Sequence, residues 1–187
     1  KYVYNKFMSQ LKVDSIVPRG GLLSGASGGI IQIVQALKTD AFSTTSTSFV
    51  DITGMSLTIT PQSSNSKILI DVCINHGADQ IGGLRVLRGS TPVGISTAVS
   101  GSNQVNASFG AHRTNNITTN YVGCKFFDSP ATTSETTYKL QVFMDNHLSL
   151  NAQIFNLNKP ENPDNLNQPR IVGTISSITA YEVSGWL

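Results

Sequence analysis

The chain has 187 residues and a mass of 20.0 kDa, enough for one well-filled core, since a domain of this size buries roughly 70% of the surface its unfolded chain exposes. Asp, Glu, Lys and Arg make up 13% of it, against about 25% in an average soluble domain; Ser, Thr, Asn and Gly fill the gap, which points to an all-β extracellular or virion-like protein and away from a cytosolic helical enzyme. A net charge of +2 without a Lys/Arg cluster provides no long-range field for nucleic acid or an anionic membrane, and no apolar run approaches the ~20 residues needed to span a bilayer.

Residues 1–29 differ from the rest of the chain. Their apolar residues lack a sustained period, and Pro18-Arg19-Gly20-Gly21 and Ser24 to Gly29 are breakers and linker. Such a segment builds no core of its own, and fully extended it reaches roughly 95 Å. Val13, Ile16, Val17, Leu22 and Leu23 are nevertheless too apolar for a free tail. The expectation is an extended attachment segment that docks on another copy or on a neighbouring protein, followed by one β-domain over residues 30–187.

Ile30 to Thr39 is the first candidate strand, because Ile30, Ile31, Ile33 and Val34 are β-branched. After a Ser/Thr ramp from Phe42, the residues Val50, Ile52, Met55, Leu57 and Ile59 come mostly one polar residue apart. Pro61 and the run Gln62 to Ser66 break that pattern with turn chemistry. Ile68, Ile70, Val72 and Ile74 then alternate strictly with Leu69, Asp71, Cys73 and Asn75, which places one set on one face of a sheet. The chain from Phe42 to Asn75 thus reads as strand, turn, strand, and the remainder is expected to pack on it.

Gly77 to Gly83 reads as a loop. Leu84 to Ile95 reads as a hairpin turning at Arg88 to Thr91, Ser96 to Gln104 as a polar loop, and Val105 to Arg113 as a weak strand. Tyr121 to Asp128 and Thr136 to Asp145 are strands, the second with Tyr138, Leu140, Val142 and Met144 on one side. Leu148 to Phe155 comes after a tight turn. Asn156 to Arg170, rich in proline and asparagine, is expected to be an exposed loop, and Ile171 to Val183 the last strand. Roughly eight to ten short strands bounded by turn signals predict an all-β fold, an antiparallel β-sandwich or jelly roll with an extended N-terminal segment.

No residues in this pattern point to catalysis. His76, His112 and His147 are far apart, and no HxxxH, CxxC, phosphate-cradling or dinucleotide motif occurs. The sequence offers no reason to expect a cofactor or metal, and the expectation is a protein that is not an enzyme. Cys73 and Cys124 form no framework. They read as two buried thiols, or as a disulfide if their strands are neighbours.

The series FSTTSTSFVDITGMSLTITPQSSNSKILIDVCIN, LRVLRGSTPVGI, FFDSPATTSETTYKLQVFM and PRIVGTISSITAYEVSG resembles C-terminal β-domains of tail fibre and other appendage proteins of tailed bacteriophages, with a marine-phage flavour. The stretch MSQLKVDSIVPRGG from Met8 looks like the start of such proteins. At fold level alone, the layout is similar to trimeric jelly rolls of the complement-C1q and tumour-necrosis-factor type. The resemblance implies a virion surface component, usually homotrimeric, with a receptor-facing tip, attached to other virion proteins through its leader and meeting a host cell-surface glycan or protein. Two alternatives remain within this setting: a head fibre or decoration protein without a receptor role, and a carbohydrate-active spike enzyme, which needs two facing carboxylates roughly 5–10 Å apart.

The surfaces carry two expectations. The doubly apolar runs Ile68-Leu69-Ile70 and Phe126-Phe127 suggest strands covered on both faces, as at a subunit interface; in the resembling folds, Tyr181 and the last strand would then lie near a threefold axis. Recognition is expected on loops held by the scaffold, with His112, Arg113, Asn156, Asn158, Asn162, Asn165, Asn167 and Gln168 as hydrogen-bonding candidates and Phe155 as a stacking face.

Overall fold

The computed structural model describes residues 29–78, 82–101, 104–111, 119–145, 154–160 and 172–184. The leader expected over residues 1–29, with Val13, Ile16, Val17, Leu22 and Leu23, lies outside them except for Gly29, as does most of the strand expected from Leu148. The described chain forms eleven strands and no helix: β1 (Ile30–Lys38), β2 (Phe42–Thr44), β3 (Val50–Ile59), β4 (Lys67–Ala78), β5 (Gly82–Arg88), β6 (Thr91–Val93), β7 (Phe109–Ala111), β8 (Asn120–Asp128), β9 (Thr136–Met144), β10 (Phe155–Leu157) and β11 (Ser176–Val183).

They build two antiparallel sheets. In the first, β4 is central, with β8 along one edge and β11 followed by β10 along the other; β1 flanks β11 and β2 flanks β10. In the second the order is β3-β9-β5, and β6 and β7 share the far edge of β5. The chain crosses between the sheets at β2–β3, β3–β4, β4–β5, β7–β8, β8–β9 and β9–β10. The expected sandwich is what forms, and β5 and β6 are the expected hairpin, closed at Gly89 with φ +59°.

The strand–turn–strand stretch does not fold back on itself. β3 pairs with β9 in the second sheet, whereas β4 belongs to the first, so the chain from Thr60 to Ser66 crosses from one layer to the other. Alternation fixes which side chains face inward on each strand but carries nothing about the strand's partner. Ile52, Met55, Leu57 and Ile59 from β3 face Ile68, Ile70, Val72 and Ile74 from β4 across the core, together with Leu84, Val86, Tyr138, Leu140, Val142, Ile178 and Ala180. Ile52 and Met55 are three apart, which a regular strand would send to opposite faces. A bulge between Asp51 and Ser56, where four β3 residues stand opposite one on β9, absorbs the change of face, and Gly54 supplies its positive φ of 83°.

Two polar clamps tie the layers at their ends. Tyr138, fully buried, donates from its hydroxyl to Asp128 at 2.6 Å, and Arg88 Nη1 donates to both oxygens of the same carboxylate at 2.8 Å. This joins β8 of the first sheet to β5 and β9 of the second. At another site Glu182, also fully buried, accepts from the Gln62 amide at 2.7 Å and from the Gln32 side chain, whose amide reaches Thr60 O at 2.7 Å as well. The crossing turn is thereby fastened to the last strand. Burial pushes the Glu182 carboxyl up, but its hydrogen bonds, among them those from Gln32 and the Gln62 amide, outweigh this and hold it below the usual range.

The cysteines are neighbours on paired strands and still cannot bond. Cys73 is registered with Gly123 and Cys124 with Val72, so their side chains leave opposite faces of the sheet. Both thiols are free and half-buried rather than buried. Cys124 packs against the core, and burial pushes its thiol up to about 12.

Candidate functional site: one unpartnered sheet face and one groove

The outer face of the first sheet is built from cross-strand rows. Ile33, Tyr181, Leu69 and Phe127 stand side by side across β1, β11, β4 and β8. The next row is Gln35, Thr179, Asp71 and Lys125, followed by Leu37, Ser177, Cys73 and Gly123. Ile33, Phe127 and Tyr121 are 57%, 58% and 65% exposed in the single chain. Six of the ten exposed large apolar side chains among the described residues lie on β1 or β8, so the exposure is concentrated, not scattered as on an ordinary surface. In the polar row Lys125 pairs with Asp71 at 2.8 Å, leaving the row without net charge. A shallow cavity of about 470 Å³ opens in this face where Gly123 has no side chain; Tyr121, Cys73 and Tyr181 line it.

A second cavity, of about 500 Å³, opens at the edge of the second sheet, within the ~300–1,000 Å³ usual for small-molecule sites. Its floor is Phe143, which is registered with Gly83 on β5. A Cβ at Gly83 would lie 2.4 Å from the Phe143 ring and 3.2 Å from Ala107, so the missing side chain is what lets the ring lie across the neighbouring strand. Phe49 meets Phe143 edge-on at a centroid separation of 4.7 Å, and the Arg85 guanidinium covers the Phe49 ring at 3.9 Å. Arg85 is itself held by Nε donating to Gln141 at 2.8 Å. Gly83 and Phe49 therefore position Phe143, and Arg85 in turn holds Phe49.

The walls are Phe109, Val99 and Val105, the two valines being exposed. The 93–108 loop that carries the valines is pinned internally. Asn106 Nδ2 donates to Val99 O at 2.9 Å, Ser96 N to Ala107 O at 3.1 Å, and the Ser108 hydroxyl bridges Val93 O and the Val86 amide. These polar groups already have partners inside the protein. Asp145, just past the end of β9, is the one carboxylate among the described lining residues.

The residues singled out from sequence do not converge here. Asn156 and Asn158, expected on an exposed loop, are buried at 1% and 4% exposure. Asn156 accepts from Ser43 at 2.7 Å and donates to Pro160 O at 3.0 Å. Asn158, at φ 63°, donates to Lys38 O and Asp40 O, both at 2.9 Å, and accepts from Ser176 at 2.7 Å. Their amides satisfy backbone groups where β10 meets β1 and β2, which is structural work. Phe155 is fully buried, stacked on His76 at 5.5 Å, and offers no surface ring. His112, Arg113, Asn162, Asn165, Asn167 and Gln168 lie outside the described residues. Gly82 and Gly83, read from sequence as the end of a loop but lying at the start of β5, line the groove together with Ser96 and Val99 of the polar loop.

Sequence reasoning missed Phe143 and Asp145. The signal was present in TTYKLQVFMD: an aromatic on the outward parity of an otherwise well-alternating strand, followed two residues on by a carboxylate. Among the described residues no three His, Cys, Asp or Glu side chains cluster where they could hold a metal ion. The chain matches no protein-family model and no curated protein.

Proposed function

We propose that this chain is a surface-attachment module of a virion, a tail-fibre or other appendage domain of a tailed bacteriophage. In this reading it assembles as a homotrimer through the outer face of the first sheet, its leader docks on other virion proteins, and the groove on the second sheet meets the surface of the host cell.

One observation carries the reading: six of the ten exposed large apolar side chains among the described residues lie on β1 or β8 of the first sheet, while a pre-shaped groove opens on the second sheet. Four strands about 4.8 Å apart, each about nine residues of 3.3 Å, present a flat area on the order of 600 Å². That approaches the ~800 Å² per partner of a stable interface, and the Ile33–Tyr181–Leu69–Phe127 row gives it an apolar centre. A decoration protein without a receptor role would use the same face but leave the groove idle. The spike-enzyme alternative requires a second carboxylate facing Asp145.

Two measurements test the reading. Sedimentation should find three copies of the full chain, and Phe127→Asp should reduce them to one while leaving the circular dichroism of the β-domain unchanged. The purified domain should compete with the particle for adsorption to host cells. A monomeric wild-type chain overturns the assembly half, and undiminished adsorption at saturating domain overturns the receptor half.

A further inference from the structure

We propose that the groove on the second sheet is a binding site for a neutral pyranose ring, stacked on Phe143 and hydrogen-bonded through its hydroxyls to Asp145. This rests on the attachment reading above and names the chemistry of its ligand.

Four features converge on that class. The Phe143 ring packs over Gly83, meets Phe49 at 63° and lines the cavity, so it is held by its neighbours and ordering it costs little entropy when a ligand arrives. An aromatic face with apolar walls at Val99, Val105 and Phe109 asks for a flat C–H surface. Asn106, Ser96 and Ser108 have partners within the loop, so covering them leaves little unsatisfied. Asp145 can only accept, and so asks for O–H donors. A ring with one C–H face and peripheral hydroxyls satisfies both demands.

Charge separates this ligand from its competitors. A quaternary or primary ammonium would also use an aromatic face and a carboxylate. Among the described residues of this face, however, Arg85 and Lys139 supply two positive charges and Asp51 and Asp145 two negative ones, which sum to zero. Lys139 and Asp51 are paired with each other at 2.8 Å, while Arg85 sits over the Phe49 ring, donates to Gln141 and forms no ion pair among the described residues. The guanidinium disfavours a cation beside the same rings, and Asp145 disfavours an anion. A neutral sugar meets neither penalty.

The test uses the full chain in saturation-transfer NMR. Methyl α-D-glucopyranoside and methyl β-D-galactopyranoside are the probes, with choline and N-acetylneuraminic acid as charged controls. At least one neutral pyranoside should receive saturation on its ring C–H protons, and neither control should. Phe143→Leu keeps an apolar side chain over Gly83 but removes the π-face, and Asp145→Asn removes the charged acceptor beyond the strand end. Each should weaken binding about tenfold or more with an unchanged fold by circular dichroism. Dextran and a β-1,4-galactan distinguish the source: tighter binding of the polymer per sugar unit assigns the groove to a surface polysaccharide, and equal binding to a free sugar. Preference for choline, absence of any neutral pyranoside signal, or wild-type affinity in both variants overturns the proposal. If sugars fail but Phe143→Leu still abolishes competition for adsorption, the attachment reading stands with a different ligand; if competition itself is absent, the attachment reading fails.

Discussion

The clamp joining Tyr138, Asp128 and Arg88 should behave as one unit, and its energy can be bounded from its geometry. Tyr138→Phe deletes a fully buried hydroxyl that donates to a carboxylate at 2.6 Å. Hydrogen bonds to charged partners contribute about 1.5–3 kcal/mol. Asp128 keeps both contacts from Arg88 and a 10% exposed side chain, so the loss should fall near the lower end, about 1.5 kcal/mol. For a domain of this size that lowers Tm by about 3–6 °C. Asp128→Ala is harsher. It leaves the Tyr138 hydroxyl buried without its acceptor and removes the carboxylate from Arg88, for about 3–5 kcal/mol. Because both changes break the same bond, the double variant should be less destabilised than the sum by about 1–2 kcal/mol. Urea unfolding of the four proteins, followed by fluorescence, yields the coupling. Additive losses would show that the 2.6 Å contact does not hold the two sheets together, and the account of the clamp would be wrong.

Glu182 should make the fold acid-labile. Its folded pKa lies below the unfolded value of about 4.3, so its stabilisation is complete above that value and disappears as pH falls through the folded one. Glu182→Gln should therefore flatten the fall in unfolding free energy below about pH 4.5; an unchanged acid slope in urea titrations at stepped pH would count against it. Gly54→Val puts a β-branched residue at φ 83°, 3.4 Å from Lys38 Nζ. It should cost about 1–3 kcal/mol, read as a lower thermal midpoint, and a neutral result would mean the bulge is not needed. Both cysteines should titrate as thiols in non-reducing denaturant. In the native protein Cys124, pushed up to about 12 by burial, should resist maleimide at pH 7. Rapid labelling of Cys124, or a missing pair of thiols, would contradict the opposite-face placement.

The strands were legible in the sequence because alternation is a property of one segment. Ile68, Ile70, Val72 and Ile74 need no partner to declare a buried face. Pairing is a property of two segments, and nothing in Pro61 to Ser66 distinguishes a hairpin turn from a passage between layers. What decides is whether the strands on either side find better edges elsewhere: β4 has β8 and β11, and β3 has β9. Asn156 and Asn158 show the same limit in polar residues. Asparagines beside prolines look alike whether they face water or satisfy the backbone where two edges meet, because an amide's partner lies far along the chain: Lys38 and Asp40 for Asn158, Ser43 for Asn156. The groove too depends on a relation between distant residues. Gly83 reads as a breaker and Phe143 as the outward side of a strand, and neither is informative alone. Only their register turns an absent Cβ into the space a phenyl ring occupies. A side chain larger than hydrogen at residue 83 should therefore displace the Phe143 ring without touching the core residues of either strand, so the shape of the groove depends on that glycine.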